Sequence, residues 1–164
     1  MTINNTHALV AADVVYACDG KWWDRYQADV TAPARWTQDE GAAKRYGINY
    51  IKGEPKQGLS LTPGTIHLGS NGGYQGINLA YHLGATRIAL LGYDMQYTGG
   101  QSHWHGDHPA GMNNPVGVDS WIPNFNRLAR DCDRAGLAVV NLSRATALEC
   151  FKKENFEEWL LMQG

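Results

Sequence analysis

The chain has 164 residues and a formal charge of −2, from 14 basic and 16 acidic side chains. That length suits one domain with a real core, and the balanced charge, without a basic run, argues against a nucleic-acid-binding stripe. No apolar run approaches the roughly 20 residues needed to cross a bilayer, and the first six residues carry neither a charged leader nor an apolar core. A cytoplasmic protein with no membrane partner is therefore expected. Cys18, Cys132 and Cys150 show neither metal nor redox spacing and read as small buried hydrophobes in a reducing compartment.

Along the chain, short apolar runs alternate with amphipathic stretches, the pattern of βα units around a mostly parallel sheet in one α/β domain spanning residues 1–164. Strands are expected at residues 2–4 and 13–17, followed by Trp22, Trp23 and Tyr26, which read as core or helix-packing aromatics. Further strands are expected at 34–37, 48–51 and 65–68, with a helix at 38–46 stopped by Gly47. The spacing of Tyr74, Ile77 and Tyr81 predicts a helix over 74–83, closed by Gly84 in a left-handed conformation. Arg87-Ile88-Ala89-Leu90-Leu91 has the unbroken apolarity of a buried central strand. Trp121, Phe125, Leu128 and Cys132 share one face of a helix over 120–135, with Pro123 in its first turn and Gly136 after its last. A strand at 137–141 follows, then a helix over 153–161 with Phe156, Trp159 and Leu160 facing inward. Residues 93–118 form a long glycine-rich connection with little periodicity. Segments of that kind are functional lids or disordered stretches, and the aromatic and histidine content favours a lid.

In an open parallel sheet, ligands bind outside the carboxyl ends of the strands. Here those ends are polar: Asn4-Asn5, Cys18-Asp19, Gly69-Ser70-Asn71-Gly72-Gly73, Gly92-Tyr93-Asp94 and Asn141-Leu142-Ser143-Arg144. The glycine-rich run lies between a strand and a helix. Its backbone can adopt positive φ and approach a ligand closely, and the free N–H groups of the following helix favour an anion such as phosphate. No Gly-Lys-Ser/Thr follows, so it is not a Walker A loop. The bland alternative is a tight turn with Ser70 or Asn71 capping the helix. Asp19 and Asp94 each follow a strand and can hold a ribose hydroxyl, or through water a Mg²⁺ that arrives with a nucleotide; no other cofactor is indicated. For Asp94, capping of its own turn is the competing role.

His103-Trp104-His105-Gly106-Asp107-His108-Pro109 concentrates three histidines and a carboxylate. Such a set can ligate zinc, but adjacent ligands on a loop rarely complete a tetrahedral site alone, and no metal site is expected. A second reading is catalytic: a histidine titrating near neutral pH, His105 or His108, with Asp107 beside them, acting as general base; a third is a structured loop whose histidines hydrogen-bond to backbone. His7, His67 and His82 read as structural.

The blocks Gly69-Ser70-Asn71-Gly72-Gly73-Tyr74, Ala80-Tyr81-His82-Leu83-Gly84-Ala85 and Ile88-Ala89-Leu90-Leu91-Gly92-Tyr93-Asp94-Met95 resemble the core of the MptE-like superfamily, which includes pterin diphosphokinases and motility accessory factors. They are also similar to the bacterial family 42 sialyltransferases. Asn4-Asn5, the stretch from Val14 through Asp19 to Trp23, and the stretch from Val139 to Ala145 extend the likeness. The His105-Gly106-Asp107-His108-Pro109 segment resembles phage and prophage members most. Larger relatives begin with a further strand and a Gly-x-Gly-Pro-Ser-like loop that contacts the nucleotide phosphates, and the likeness starts after that point. The resemblance implies a Rossmann-like three-layer domain and a transferase, phage-encoded and acting in the bacterial host cytoplasm, that moves a glycosyl, phosphoryl or diphosphoryl group from a nucleotide or nucleotide sugar. Asn4, Asn5, Asp19, Gly69, Ser70, Asn71, Gly72, Asp94, Asn141 and Ser143 would then hold the ligand. The alternatives are a phage protein that binds a nucleotide-like molecule without turnover, or a structural partner. A homo-oligomer is compatible with any of these.

Overall fold

A computed structural model describes residues 1–96 and 121–162. Its architecture is the expected Rossmann-like α/β arrangement, with every strand pair among the described residues parallel. The elements in chain order are β1 (Thr2–Ile3), β2 (Val14–Tyr16), α1 (Gly20–Tyr26), β3 (Ala34–Thr37), α2 (Glu40–Tyr46), β4 (Asn49–Tyr50), β5 (Lys52–Glu54) and β6 (Thr65–His67). Then come α3 (Gly72–His82), β7 (Arg87–Leu90), α4 (Trp121–Arg134), β8 (Ala138–Asn141), β9 (Lys152–Lys153) and α5 (Phe156–Leu161).

The strands fall into three hydrogen-bonded groups rather than one sheet, ordered β1-β2-β3-β4, β5-β6 and β7-β8-β9. Ile51 links the first two groups. Its N–H reaches Thr37 O at 3.0 Å on β3, while the next N–H, of Lys52, reaches Gly64 O at 3.1 Å beside β6. The extended segment 49–54 thus passes its bonds from one neighbour to the other.

Alternation along β2 sorts the layers. Val15 and Ala17 pack with Trp22, Trp23, Ala42 and Ala43 of α1 and α2. Tyr16 points the other way, into a cluster with Ile51, Ile66 and Leu79 of α3. A third cluster joins Tyr74 and Ile77 of α3 to Leu90, Phe125, Leu128 and Cys132, so α3 belongs to two cores at once. Caps set the helix limits: Asp19, Asp39, Asn71 and Asn155 each accept a backbone N–H in the first turn. Gly47, Gly84 and Gly136 take the positive φ expected after the helices they follow.

Three expectations need correction. β7 is not buried throughout: Arg87 and Ala89 are exposed, and Leu91, just past its end, is 57% exposed. β7 pairs with β8 alone, and no described strand lies on its other edge. The last helix starts at Phe156 because Lys152 and Lys153 pair with Val140 and Asn141 as β9. Leu160 faces solvent, at 49% exposure. The cysteines are all free, with Cys132 buried and Cys18 and Cys150 half-buried. Burial pushes the Cys132 thiol up to about 12, and those of Cys18 and Cys150 up to about 11. No helix among the described residues is long and apolar enough to cross a membrane.

Candidate functional site: the α3 amino terminus

The 69–73 turn is built by its backbone. Asn71 N–H closes on Leu68 O at 3.3 Å, and the two residues between them, Gly69 and Ser70, both have positive φ, 50° and 59°. That is the φ signature of a type I′ turn. Gly69 admits no side chain, since an added Cβ would lie 2.4 Å from the Tyr74 ring. Ser70 is exposed, and its left-handed backbone is unusual for a residue with a Cβ.

Asn71 then caps α3, its side chain accepting from Tyr74 N at 3.0 Å, while Asn71 O takes Gln75 N. The N–H groups of Gly72 and Gly73, the first two helical positions, have no partner among the described residues. They are the donors an anion at a helix start would use.

Two neighbouring strand ends frame these donors. After β1, Asn4 has φ 48°, and a Cβ on Gly72 would sit 3.6 Å from its Nδ2. After β7, Gly92 and Met95 have φ 74° and 48°. The Tyr93 hydroxyl donates to Gly73 O at 3.0 Å, and burial raises its pKa, keeping it a neutral donor. From α4, Asn124 donates to Gly69 O at 3.1 Å and holds the turn from outside. Asn124 carried no signal in the sequence, and Tyr93 and Met95 were marked only by their place after a strand, because each acts through a contact distant along the chain. Three non-glycine residues with positive φ, Asn4, Ser70 and Met95, thus follow β1, β6 and β7 in turn. Strain of this kind persists only where the surroundings over-determine it, and it collects at binding sites.

The remaining expected residues are placed differently. Asn5 turns toward α1, where its Oδ1 accepts from Trp22 Nε1 at 2.7 Å. Asp19 is exposed and caps α1, accepting from Lys21 N at 2.9 Å. Asn141 and Ser143 lie under the site rather than in it, at 0% and 2% exposure. Asn141 Oδ1 takes Ser143 N at 3.0 Å, and its Nδ2 donates to Thr146 Oγ1 at 3.2 Å. Ser143 Oγ in turn accepts from Tyr93 N at 2.8 Å, Thr146 Oγ1 donates to Tyr93 O at 2.6 Å, and Ala147 N donates to Asp94 O at 2.8 Å. The loop after β8 therefore clamps the backbone of Tyr93 and Asp94, and Asn141 and Ser143 serve that clamp. Asp94, half-buried, remains the carboxylate nearest in sequence to Tyr93. His105, Asp107 and His108 lie outside the described residues, as does most of the 93–118 connection. Among the described residues, no three His, Cys, Asp or Glu side chains gather as a metal site.

The His67 ring nitrogen Nδ1 lies 3.2 Å from Gly58 O. His82 meets the Tyr81 ring edge-on, and its Nε2 is buried without a hydrogen-bond partner among the described residues. An open groove of about 530 Å³ runs elsewhere, along β7 and β8 under Trp159 and Met162. It lies over the middle of those strands rather than at their carboxyl ends, so it does not occupy the ligand position of a parallel sheet.

No family model, curated protein or solved structure matches this chain.

Proposed function

We propose that the protein binds the phosphate groups of a nucleotide or nucleotide sugar at the α3 amino terminus and transfers a glycosyl, phosphoryl or diphosphoryl group from it. The observation that carries the binding step is the pair of unpartnered N–H groups of Gly72 and Gly73, presented by a strained turn at the carboxyl end of β6. Asn4 flanks them with a side-chain amide suited to a phosphate, and Tyr93, whose hydroxyl donates to Gly73 O, fixes the helix start beside them. Mg²⁺ bound to a diphosphate takes one or two protein carboxylates and keeps several waters, and Asp94, next to Tyr93 in the chain, is the residue this reading assigns to it.

The transfer step is supported by the resemblance of the 69–95 region to nucleotide-dependent transferases. On this reading His105 or His108 removes the proton of an acceptor hydroxyl as its oxygen attacks, and the nucleotide leaves with the electron pair of the broken bond. Binding without turnover is the second reading. It is favoured by the fact that Asn5, Asp19, Asn71, Asn141 and Ser143 already spend side-chain groups on structure.

A melting-temperature screen of CMP, UDP, GDP, ATP and their sugar conjugates tests the binding step. A ligand at 100 times its Kd stabilises by about 2.7 kcal/mol, a rise easily read. No shift at millimolar concentrations refutes both readings. A shift without product in a coupled transfer assay leaves the binder and removes the enzyme.

A further inference from the structure

We propose that Tyr93 positions the phosphate donors of α3, and that Thr146, in the loop after β8, sets their affinity through it. The inference rests on the phosphate-binding reading and adds to it the residues that control the site. α3 opens on two consecutive glycines, Gly72 and Gly73. Helix ends fray, and glycine loses more freedom on ordering than any other residue, so this start needs support from outside the helix. Tyr93 gives it. A Cβ on Gly73 would lie 2.8 Å from Tyr93 Cε1, and the tyrosine hydroxyl donates to Gly73 O at 3.0 Å. On the other flank, a Cβ on Gly72 would lie 3.4 Å from Ile3 Cγ2. The glycine at 73 admits the ring, and the ring restores the order that glycine gives up.

Tyr93 itself lies past the β7–β8 ladder, whose last pair is Leu90 with Asn141. Side chains hold its backbone instead: its N–H reaches Ser143 Oγ at 2.8 Å, and its carbonyl accepts from Thr146 Oγ1 at 2.6 Å. The Thr146 oxygen also accepts from Asn141 Nδ2 at 3.2 Å and from Leu148 N at 3.0 Å. One donor and two acceptor sites exhaust a hydroxyl, so this one has a single orientation. An unbroken chain of bonds therefore runs from buried Asn141 through Thr146 and Tyr93 to Gly73. Donors held in place before the ligand arrives cost less to order on binding, and such precision comes from residues that support the donors without touching the ligand. Loosening Tyr93 is thus read as lost affinity.

Calorimetric titration of the 164-residue chain with inorganic pyrophosphate, well below the melting temperature, tests the proposal. Tyr93→Phe keeps the ring and removes one hydrogen bond, and should weaken pyrophosphate about five- to ten-fold. Thr146→Val should weaken it to a similar degree, and Thr146→Ser, which returns the hydroxyl, should restore the parent Kd. The double variant Tyr93→Phe, Thr146→Val should bind no worse than the weaker single one, because both changes act through one hydroxyl. If Thr146→Val does not fold, Ser143→Ala, which removes the other bond to the Tyr93 backbone, takes its place. A Thr146 variant that melts earlier but binds like the parent has lost only a structural bond, and overturns the proposal. So do losses that multiply in the double variant, or a Tyr93→Phe protein with the parent Kd. A parent that does not bind pyrophosphate overturns the phosphate reading and this inference together; a parent that binds it, with variants that bind equally well, overturns this inference alone.

Discussion

Replacing Ser70 tests whether strain at the α3 turn is real and whether it serves binding. Ser70 is exposed and holds φ at 59°, so substitutions there change backbone energetics with little change in packing. A left-handed backbone costs an L-residue about 1–2 kcal/mol, while glycine brings an unfolded-state entropy cost of about 0.5–1 kcal/mol. The difference predicts that Ser70→Gly stabilises by about 0.5 kcal/mol, a rise of about 1–2 °C for a chain of this size. A branched side chain moves the other way: Ser70→Val should cost about 1–2 kcal/mol and lower the melting temperature by about 2–8 °C. Thermal melts by circular dichroism, with urea midpoints as a check, read both. Nucleotide affinity should move against stability. A looser turn presents the Gly72 and Gly73 N–H groups less well, and the Kd of the best nucleotide should rise about two- to five-fold in Ser70→Gly. A Ser70→Val protein that melts with the parent would refute the strain. A glycine variant gaining both stability and affinity would refute the link between strain and binding.

Two further outcomes follow from the core and from a titrating ring. Asn78 is fully buried and accepts from Ser60 N at 2.9 Å and His67 N at 3.3 Å; Asn78→Leu orphans both donors, at about 1–3 kcal/mol each, and should lower the urea midpoint sharply, whereas an unchanged midpoint would show that these bonds are not made. His7, edge-on to Trp22 at 5.4 Å, has its pKa lowered by burial, against a smaller opposing pull from Asp29. The folded state therefore favours the neutral ring: the contribution is present above the usual value near 6.5 and is lost as pH falls through the lowered folded value. His7→Gln should flatten stability across that acidic window, and a parent and variant with parallel pH profiles would contradict the assignment.

Much of the fold was legible because periodicity and caps report local geometry. The strands at 34–37 and 65–67, and the helices stopped by Gly47, Gly84 and Gly136, follow from patterns a few residues long. What escaped depends on neighbours distant in sequence. The run from Arg87 to Leu91 has the composition of a central strand, yet composition cannot reveal that no described strand lies along one of its edges. Lys152 and Lys153 have no strand signature; they are drawn into β9 by Val140 and Asn141. α1 was hidden behind Gly20 and a pair of tryptophans, although Asp19 was available as its cap. In the site, polar residues at strand ends were visible, but their direction was not. Asn141 and Ser143 look identical to ligand groups in sequence, and only the positions of Tyr93 and Thr146 show that they face inward. Asn4, Gly69, Ser70 and Gly72 did gather at one place, but only Gly69 announces its positive φ by its residue type; that of Ser70 carried no signal in the sequence.

The all-parallel pairing has a consequence for how the chain finds its shape. Every strand pair must be joined by a crossover, and these differ in length. Val15 meets Arg35 across about twenty residues of chain, whereas Leu90 meets Asn141 across about fifty. Loop closure grows with the logarithm of length, so the later pairing starts about 0.8 kcal/mol behind the earlier one. It must also wait for α4, whose Phe125 and Leu128 pack against Leu90. A ribosome releases the crossovers of the β1–β4 group before the long one between β7 and β8. The amino-terminal sheet can therefore zip before the β7–β8 pair exists, and α3, which holds a place in both cores, becomes the template on which the second half of the molecule settles.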